Sequence, residues 1–388
     1  MKSPSQILRR KIERIRGGAQ PRVLDLFSGC GGLSLGFKAA GYEIAAAVEF
    51  DPDAARSHGA NFHPGDSRLA QARDINTAPD VLAVELGLGD VSQAFDVLVG
   101  GPPCQAFARV GRSKLREIAE HPEAFRHDAR ARLYIEYLRY VEACAPVAVV
   151  MENVPDMLNH GGHNLAEEIA EVLTAKGYVC RYTLMNAAFY GVPQMRERMI
   201  LIAIHKDIAD DIQMPAPTHW IDLPSGYTGT RAVALKLVGV KGTSNKHYRE
   251  APSSSPDLPA AVTAQEAIGD LPPIFARAAL KTGTLRRGRR AFDIAVPYQT
   301  GQGSSEYATS MRTWSGYSGG PAIYDHVIRY LPRDYQLFAG LKAGDQYPQA
   351  ARYALKLFET RLARRRAKGE VIAEGSKKWE AFKASIVS

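Results

Sequence analysis

The residue of this chain with the strongest claim to chemistry is Cys104, in the stretch FDVLVGGPPCQAFARVGRSK (residues 95–114). Pro102 and Pro103 fix the backbone ahead of it and remove two N–H donors, so an apolar strand must stop there. The thiol is then presented rigidly at a strand end, as suits a nucleophile, for which small misplacements are costly in rate. Cysteine is more often a small buried hydrophobe, but the flanking Gly-Gly-Pro-Pro is poor core-packing sequence and favours the reactive reading. Residues 105–125 are polar and basic, a composition that fits a loop closing over a substrate.

A second cluster lies in VLDLFSGCGGLSLGFKAAG (residues 23–41), which reads as strand, glycine-rich turn and helix. Gly29, Gly31 and Gly32 let the backbone turn tightly and approach a ligand, and the helix start offers free N–H groups. Glu49 ends the next apolar run, 24 residues after Asp25. An acid there binds both hydroxyls of a ribose. RDI (residues 73–75) would place Asp74 at a third strand end, within reach of an adenine amino group. The spacing is Gly-x-Gly-Gly, so the dinucleotide fingerprint is not met, and such a turn alone also fits an ordinary strand-to-helix connection.

These residues need elements to position them. Apolar runs predict strands at 22–27, 43–50, 95–101, 147–154, 180–187 and 198–204, with amphipathic segments near 33–40, 52–60, 130–144 and 164–176. That alternation implies an α/β fold: a doubly wound, mostly parallel sheet covered on both faces, with ligands beyond the carboxyl ends of its strands. After about residue 205 the texture changes to Pro, Gly and Ser clusters. The expected organisation is a basic N-terminal extension (1–21), a cofactor-binding catalytic domain (22–205), a smaller irregular domain (206–350), and a charged helix and tail (351–388).

The chain has 388 residues, 45% of them hydrophobic, enough for a sizeable core. No apolar run reaches the length of a membrane helix, and the N-terminus lacks an apolar signal core; a soluble, cytoplasmic protein is expected. Four cysteines without a CxxC pair argue against a disulfide scaffold or a metal site. Residues 1–204 carry 23 Lys and Arg against 24 Asp and Glu, whereas residues 205–388 carry 26 against 17. The excess positive charge, densest in RRGRR (286–290) and RLARRRAK (361–368), fits either a solvated surface or attraction to a polyanion.

DLFSGCGG, GGPPCQAF, MENVP (151–155) and YGVPQMRERMILIA (190–203), in that order, resemble the motifs of the DNA cytosine-5 methyltransferase family. The resemblance covers residues 22–204 and extends more loosely over 261–350. It implies a Rossmann-like fold dependent on S-adenosylmethionine, held by Asp25, Phe27, Ser28, Gly29, Gly31, Gly32, Glu49, Asp74, Ile75 and Pro102, and a target-recognition domain in the second half. It implies that the Cys104 thiolate adds to carbon 6 of a flipped-out cytosine, and that carbon 5 is then methylated and loses its proton. Glu152 would hold the base at nitrogen 3 as a general acid. Asn153 would brace the cysteine loop. Arg196 and Arg198 would contact the base, steady Glu152 and favour the thiolate. Alternate positions along an extended segment place Gln194, Arg196 and Arg198 on one face. Gln105, Arg109 and Arg112 are the expected contacts to double-stranded DNA, and prokaryotic restriction-modification, in the cytoplasm at the nucleoid, is the expected setting.

The sequence departs from the family in two ways. Ala108 stands where serine is frequent. No Phe-Pro-Asp stretch and no Gly-Asn pair occurs, so the family's late motifs are expected to come from a second polypeptide or to have been lost by truncation. The competing readings are a transfer-RNA methyltransferase, disfavoured because no cysteine follows Cys180, and a silent DNA-binding subunit, against which Cys104, Glu152 and Arg196 stand intact.

Overall fold

Short, nearly continuous apolar runs build one sheet here with two buried faces. A computed structural model describes residues 4–387 except 104–128, 161, 225–226, 239–244, 274–277, 279–281, 283–294, 300–303, 318, 324–334, 343 and 346. Six strands, β1 (Arg22–Leu26), β2 (Glu43–Val48), β3 (Val97–Gly100), β4 (Ala148–Asn153), β5 (Tyr178–Asn186) and β6 (Glu197–His205), form a sheet of order β2-β1-β3-β4-β6-β5. β1, β2, β3 and β4 are parallel, and β6 runs antiparallel to both its neighbours. The mostly parallel α/β sheet expected from the sequence is present.

The longer helices of this part of the chain are α1 (Pro4–Arg16), α2 (Gly32–Ala39), α3 (Pro52–Phe62), α4 (Ala129–Cys144) and α5 (Leu165–Ala175). Asp51 starts α3 by accepting the N–H groups of Asp53 and Ala54, with Pro52 in the first turn. Leu24, Leu26, Leu98, Val149 and Met151 face a core shared with α4 and α5. Val23, Val97 and Val99 face the other way, against Leu8, Ile12 and Ile15 of α1 and Leu33 and Phe37 of α2.

The N-terminal segment, expected as a basic extension, is therefore part of the fold. Lys11 is buried, and its ammonium donates to the carbonyls of Phe95, Cys144 and Ala145 at 2.5, 2.6 and 3.0 Å. Burial lowers its pKa to about 8, so it remains charged at neutral pH. Arg14 and Arg22 pair with the fully buried Asp96. Cationic residues in a helix of this composition read from sequence as solvated; burial of one of them follows only from the strand ends it meets.

By its own contacts the chain divides into Met1–Ala267 and Ile268–Ser388. Residues 206–267 thus group with the sheet rather than with the irregular half. Glu167 of α5 accepts the N–H groups of Lys246 and His247 and contacts His247 Nδ1 at 2.9 Å. Redrawn there, the charge asymmetry sharpens: the first unit has 29 Lys and Arg against 31 Asp and Glu, the second 20 against 10. The second unit ends in α6 (Tyr347–Ala367) and α7 (Lys377–Val387). Phe358, Leu362 and Ile372 pack against Trp379, Phe382 and Ile386, so the segment expected as a polar tail is a helix whose apolar residues had too short a run to be legible alone.

Beneath the glycine-rich turn lies a buried polar chain. Ser34 Oγ donates to Asp25 Oδ2 at 2.6 Å and lies 3.0 Å from His58 Nε2. The hydroxyl has one proton, so His58 must hold its own on Nε2 and donate to Ser34. Burial raises the Asp25 pKa to about 7 and lowers that of His58 to about 4.

Two measurements test these buried groups. Lys11→Met is expected to lower unfolding free energy by at least about 2 kcal/mol in urea, because buried carbonyls lose their donor, while exposed Arg10→Met changes it by less than about 0.5 kcal/mol. For His58, the unfolded imidazole takes a proton below its ordinary value of 6.5 and the native one only below about 4. Native stability is therefore lost as pH falls through that window. His58→Phe should gain on the wild type by about 1.4 kcal/mol per pH unit between those values; a pH-independent difference would show that the imidazole is not held neutral.

Candidate active site

Strand register brings the expected residues to one edge of the sheet. Leu26 pairs with Val48 on one side and Gly100 on the other, and Gly100 pairs with Met151. The residues that follow, Phe27–Gly29, Glu49, Gly101–Pro103 and Glu152, therefore emerge together at the carboxyl ends of four adjacent parallel strands. Three inter-strand gaps span about 14 Å.

Phe27 has φ 59°, a left-handed conformation that costs a non-glycine residue about 1–2 kcal/mol. It is held there by donation to Val48 O at 2.8 Å. Strain of this kind concentrates where a backbone must meet a ligand. Gly31 has φ 101°, and a Cβ there would lie 2.2 Å from the Phe62 ring. At Gly29 and Gly32 a Cβ would meet nothing within 4 Å, so the turn is open to close approach. Glu49 is fixed by two backbone donors: Gly29 N–H to Oε2 and Asp51 N–H to Oε1, both 2.8 Å. Each oxygen keeps a lone pair for a further donor. An oriented carboxylate beside an open glycine turn fits a nucleoside with a ribose diol.

Asp25 and Asp74, also expected at the cofactor, are not presented at strand ends in the way the sequence suggested. Asp25 is wholly buried with its carboxyl turned to Ser34, so it supports the turn from below. Residues 73–75 form no strand; Asp74 is exposed and accepts the Asn76 backbone N–H at 2.9 Å. Arg73 N–H instead reaches Glu49 O at 2.7 Å, tying this loop to the end of β2, and Ile75 is buried in the main core. Ser28 is buried at the turn.

The cysteine's approach is equally constrained. A Cβ at Gly100 would come within 2.7 Å of Leu26 O, and one at Gly101 within 3.1 Å of Glu152 Oε2. Pro102 is buried, and its carbonyl accepts from Asn153 Nδ2 at 2.7 Å. Cys104, Gln105, Arg109 and Arg112 lie outside the described residues, the last described position before them being Pro103.

Glu152 is half-buried, and its Oε1 lies 2.5 Å from Arg198 Nε. Burial raises its pKa, and Arg196 offsets part of that rise. β6 begins at Glu197, so of the three alternating residues only Arg198 lies in the strand; Gln194 and Arg196 precede it and are exposed. Between the two arginines Glu197 turns inward to Arg231 at 2.8 Å. Among the described residues no cluster of metal-ligating side chains occurs, and no helix is long and apolar enough to cross a membrane.

Three contributors were missed from sequence. Ser34 and His58 lie in helices as unremarkable polar residues, and only packing brings them to Asp25. Phe50 is 75% exposed directly after Glu49; a large apolar residue at the end of an apolar run reads as core, and the signal against that was its place beside the acid.

Comparison with known proteins adds to this geometry. Residues 21–261 match the C-5 cytosine-specific DNA methylase family. The chain is 32% identical over 343 residues to a putative type II methyltransferase of Oceanobacillus iheyensis, covering 88% of this chain and 71% of that one. It is 29% identical over 262 residues to the type II methyltransferase M.AquIA of a Picosynechococcus species, covering 66% of this chain and 90% of that one. It spans about half the length of several other curated type II methyltransferases. Among solved structures, a putative DNA modification methyltransferase encoded within an Escherichia coli prophage shows 21% identity and a TM-score of 0.46, over 74% of this chain and 63% of that one. On these sequence matches the chain belongs to the C-5 cytosine-specific DNA methylase family, a family of DNA methyltransferases.

Proposed function

We propose that this chain transfers a methyl group from S-adenosylmethionine to carbon 5 of cytosine in double-stranded DNA, through a covalent Cys104 adduct on a flipped-out base. The observation that carries the reading is Glu152. Its carboxyl is half-buried, raised in pKa, close to Gly101 and paired with Arg198, on the strand next to the one that leads into Pro102–Pro103. S-adenosylmethionine, when bound, supplies an electrophilic methyl on a sulfonium. Glu49 would hold its ribose hydroxyls, Phe27–Gly29 would lie along it, and the exposed Phe50 ring would stack on its purine.

Cys104 and Glu152 act on the base. Thiolate addition forms a sulfur–carbon bond at carbon 6 and moves the ring's double-bond electrons toward carbon 5. Glu152 donates a proton at nitrogen 3, which makes carbon 6 a better electrophile; burial, which raises its pKa, favours the protonated form that must donate. Once carbon 5 carries the methyl group, a base takes its proton, the electron pair of that C–H bond re-forms the carbon 5–carbon 6 double bond, the sulfur–carbon bond breaks to release the Cys104 thiolate, and the nitrogen 3 proton returns to Glu152. Arg198 faces the carboxylate left after donation. Unstacking the base costs a few kcal/mol, and Arg109 and Arg112 would contact phosphates during it. The type II methyltransferase names of the relatives favour restriction-modification as the setting.

A duplex carrying 5-fluorocytosine tests this, because fluorine replaces the proton that must leave. With S-adenosylmethionine present, the wild type is expected to form an adduct that survives denaturing electrophoresis, and Cys104→Ala to form none. An equal adduct in Cys104→Ala refutes the mechanism. Glu152→Gln should slow methyl transfer to ordinary duplex by about 100-fold or more with little loss of cofactor binding. Repeating the assay on transfer RNA, and with a candidate complementing chain, separates the competing readings.

A further inference from the structure

The second unit's charge is not spread evenly. Residues 347–388 hold 10 Lys and Arg against 4 Asp and Glu, in a hairpin whose core is closed by Phe358, Leu362, Ile372, Trp379 and Phe382. Several of its cations serve the hairpin itself. Arg365 pairs with Glu370 and stacks on Phe382, Arg366 donates to Ile372 O, Lys378 pairs with Glu370, and Lys383 lies over Trp379.

Arg352, Lys356, Arg364 and Lys368 do none of this. All four are exposed, and their side chains make no hydrogen bond or ion pair with another described residue. At 100° per residue, Arg352, Lys356 and Arg364 fall on the half of α6 turned away from the buried Ala354, Phe358 and Leu362, and Lys368 continues the row past the helix end. At 1.5 Å per residue the row is about 24 Å long. One strand of duplex DNA carries about seven phosphates over that length. Glu359 is the one acidic residue of α6.

We infer that this stripe on α6 is a sequence-independent docking surface for the phosphate backbone of duplex DNA, separate from the residues that act on the base. It rests on the reading of DNA as substrate and adds where the duplex is held. The stripe forms because the hairpin buries its own apolar residues on the opposite side. Its charge is thus left without a structural use, in the unit that holds all the chain's excess positive charge. Backbone contacts of this kind raise affinity and set register without reading bases.

The test is binding of the full chain to a 30-base-pair duplex lacking any methylation site, followed across salt concentration. The quadruple variant Arg352→Gln, Lys356→Gln, Arg364→Gln, Lys368→Gln is expected to bind at least tenfold more weakly near 0.1 M salt. The slope of log affinity against log salt should become shallower by about 3 to 4, at about 0.9 per phosphate contact. A variant with Arg352→Lys and Arg364→Lys should keep the wild-type slope, which separates charge from helix integrity. Equal slopes in wild type and quadruple variant overturn the inference, as does a loss confined to polyglutamate, which would assign the stripe to an acidic protein. The 5-fluorocytosine adduct reports independently: a quadruple variant that binds DNA as the wild type does, yet still forms the adduct, sinks the docking surface alone. A wild type that binds no duplex at any salt sinks both readings.

Discussion

The carboxyl ends of β2, β1, β3 and β4 fall level because the strands are parallel and paired without slippage from Leu24 onward. Everything the site does depends on that level edge. A shift of one residue in β3 would turn Val97 and Val99 from one buried face to the other and exchange Leu98 for them, so apolar packing on both faces holds the register. Gly100 is forced by the same closeness: its missing side chain is what lets β3 lie against Leu26 O at the point where the strand stops. Gly101 then leaves room for the Glu152 carboxylate. The Gly-Gly-Pro-Pro sequence is thus two answers to one crowding problem, glycines where neighbours press in and prolines where the strand must end.

The loops at this edge are fixed by backbone donors rather than by long side chains. Glu49 takes the N–H groups of Gly29 and Asp51, and Asn153 gives its amide to Pro102 O. Short bonds to the backbone lose less side-chain entropy than surface ion pairs between flexible groups. Underneath, burial pushes both Asp25 and His58 toward their neutral forms in the layer that carries the strained Phe27. An ionised pair there would need its own solvation, which the packing of Phe62 against His58 excludes.

Much of this was legible in the sequence, for identifiable reasons. All six strands were predicted because short apolar runs alternating with amphipathic helical segments have few other readings. The cysteine turn, Glu49 and the Glu152–Asn153 pair stand at strand ends, where local sequence alone says which residues emerge. What failed was non-local. RDI was read as a third strand end, but it forms no strand, and the Arg73 N–H instead reaches Glu49 O at the end of β2. QMRER alternates in sequence, yet β6 starts too late for the whole row to share a face, and Glu197 is drawn inward by Arg231. Helix α1 reads as solvated because four of its residues are arginines; three carbonyls at the far end of the sheet make Lys11 a buried residue, and no pattern within α1 announces them.

Glu152 shows why the site needs two opposed influences instead of one. Burial alone would hold its proton so firmly that donation to a base would be uphill; a close, aligned arginine alone would strip the proton before the base arrived. Arg198 comes within 2.5 Å, yet its Nε forms no well-aligned hydrogen bond, and the net direction remains upward. An arginine placed near but not aligned leaves the acid form accessible and stands ready to stabilise the carboxylate once the proton has left. Arg196, exposed just before the strand, tempers the rise without reversing it. Either arginine replaced by a neutral residue shifts the balance toward a carboxyl that keeps its proton, whereas lysine at 198 would keep the charge but lose the planar fork that lets a guanidinium accept a carboxylate as it forms. The geometry therefore favours arginine over lysine at that position on grounds of shape, with charge common to both.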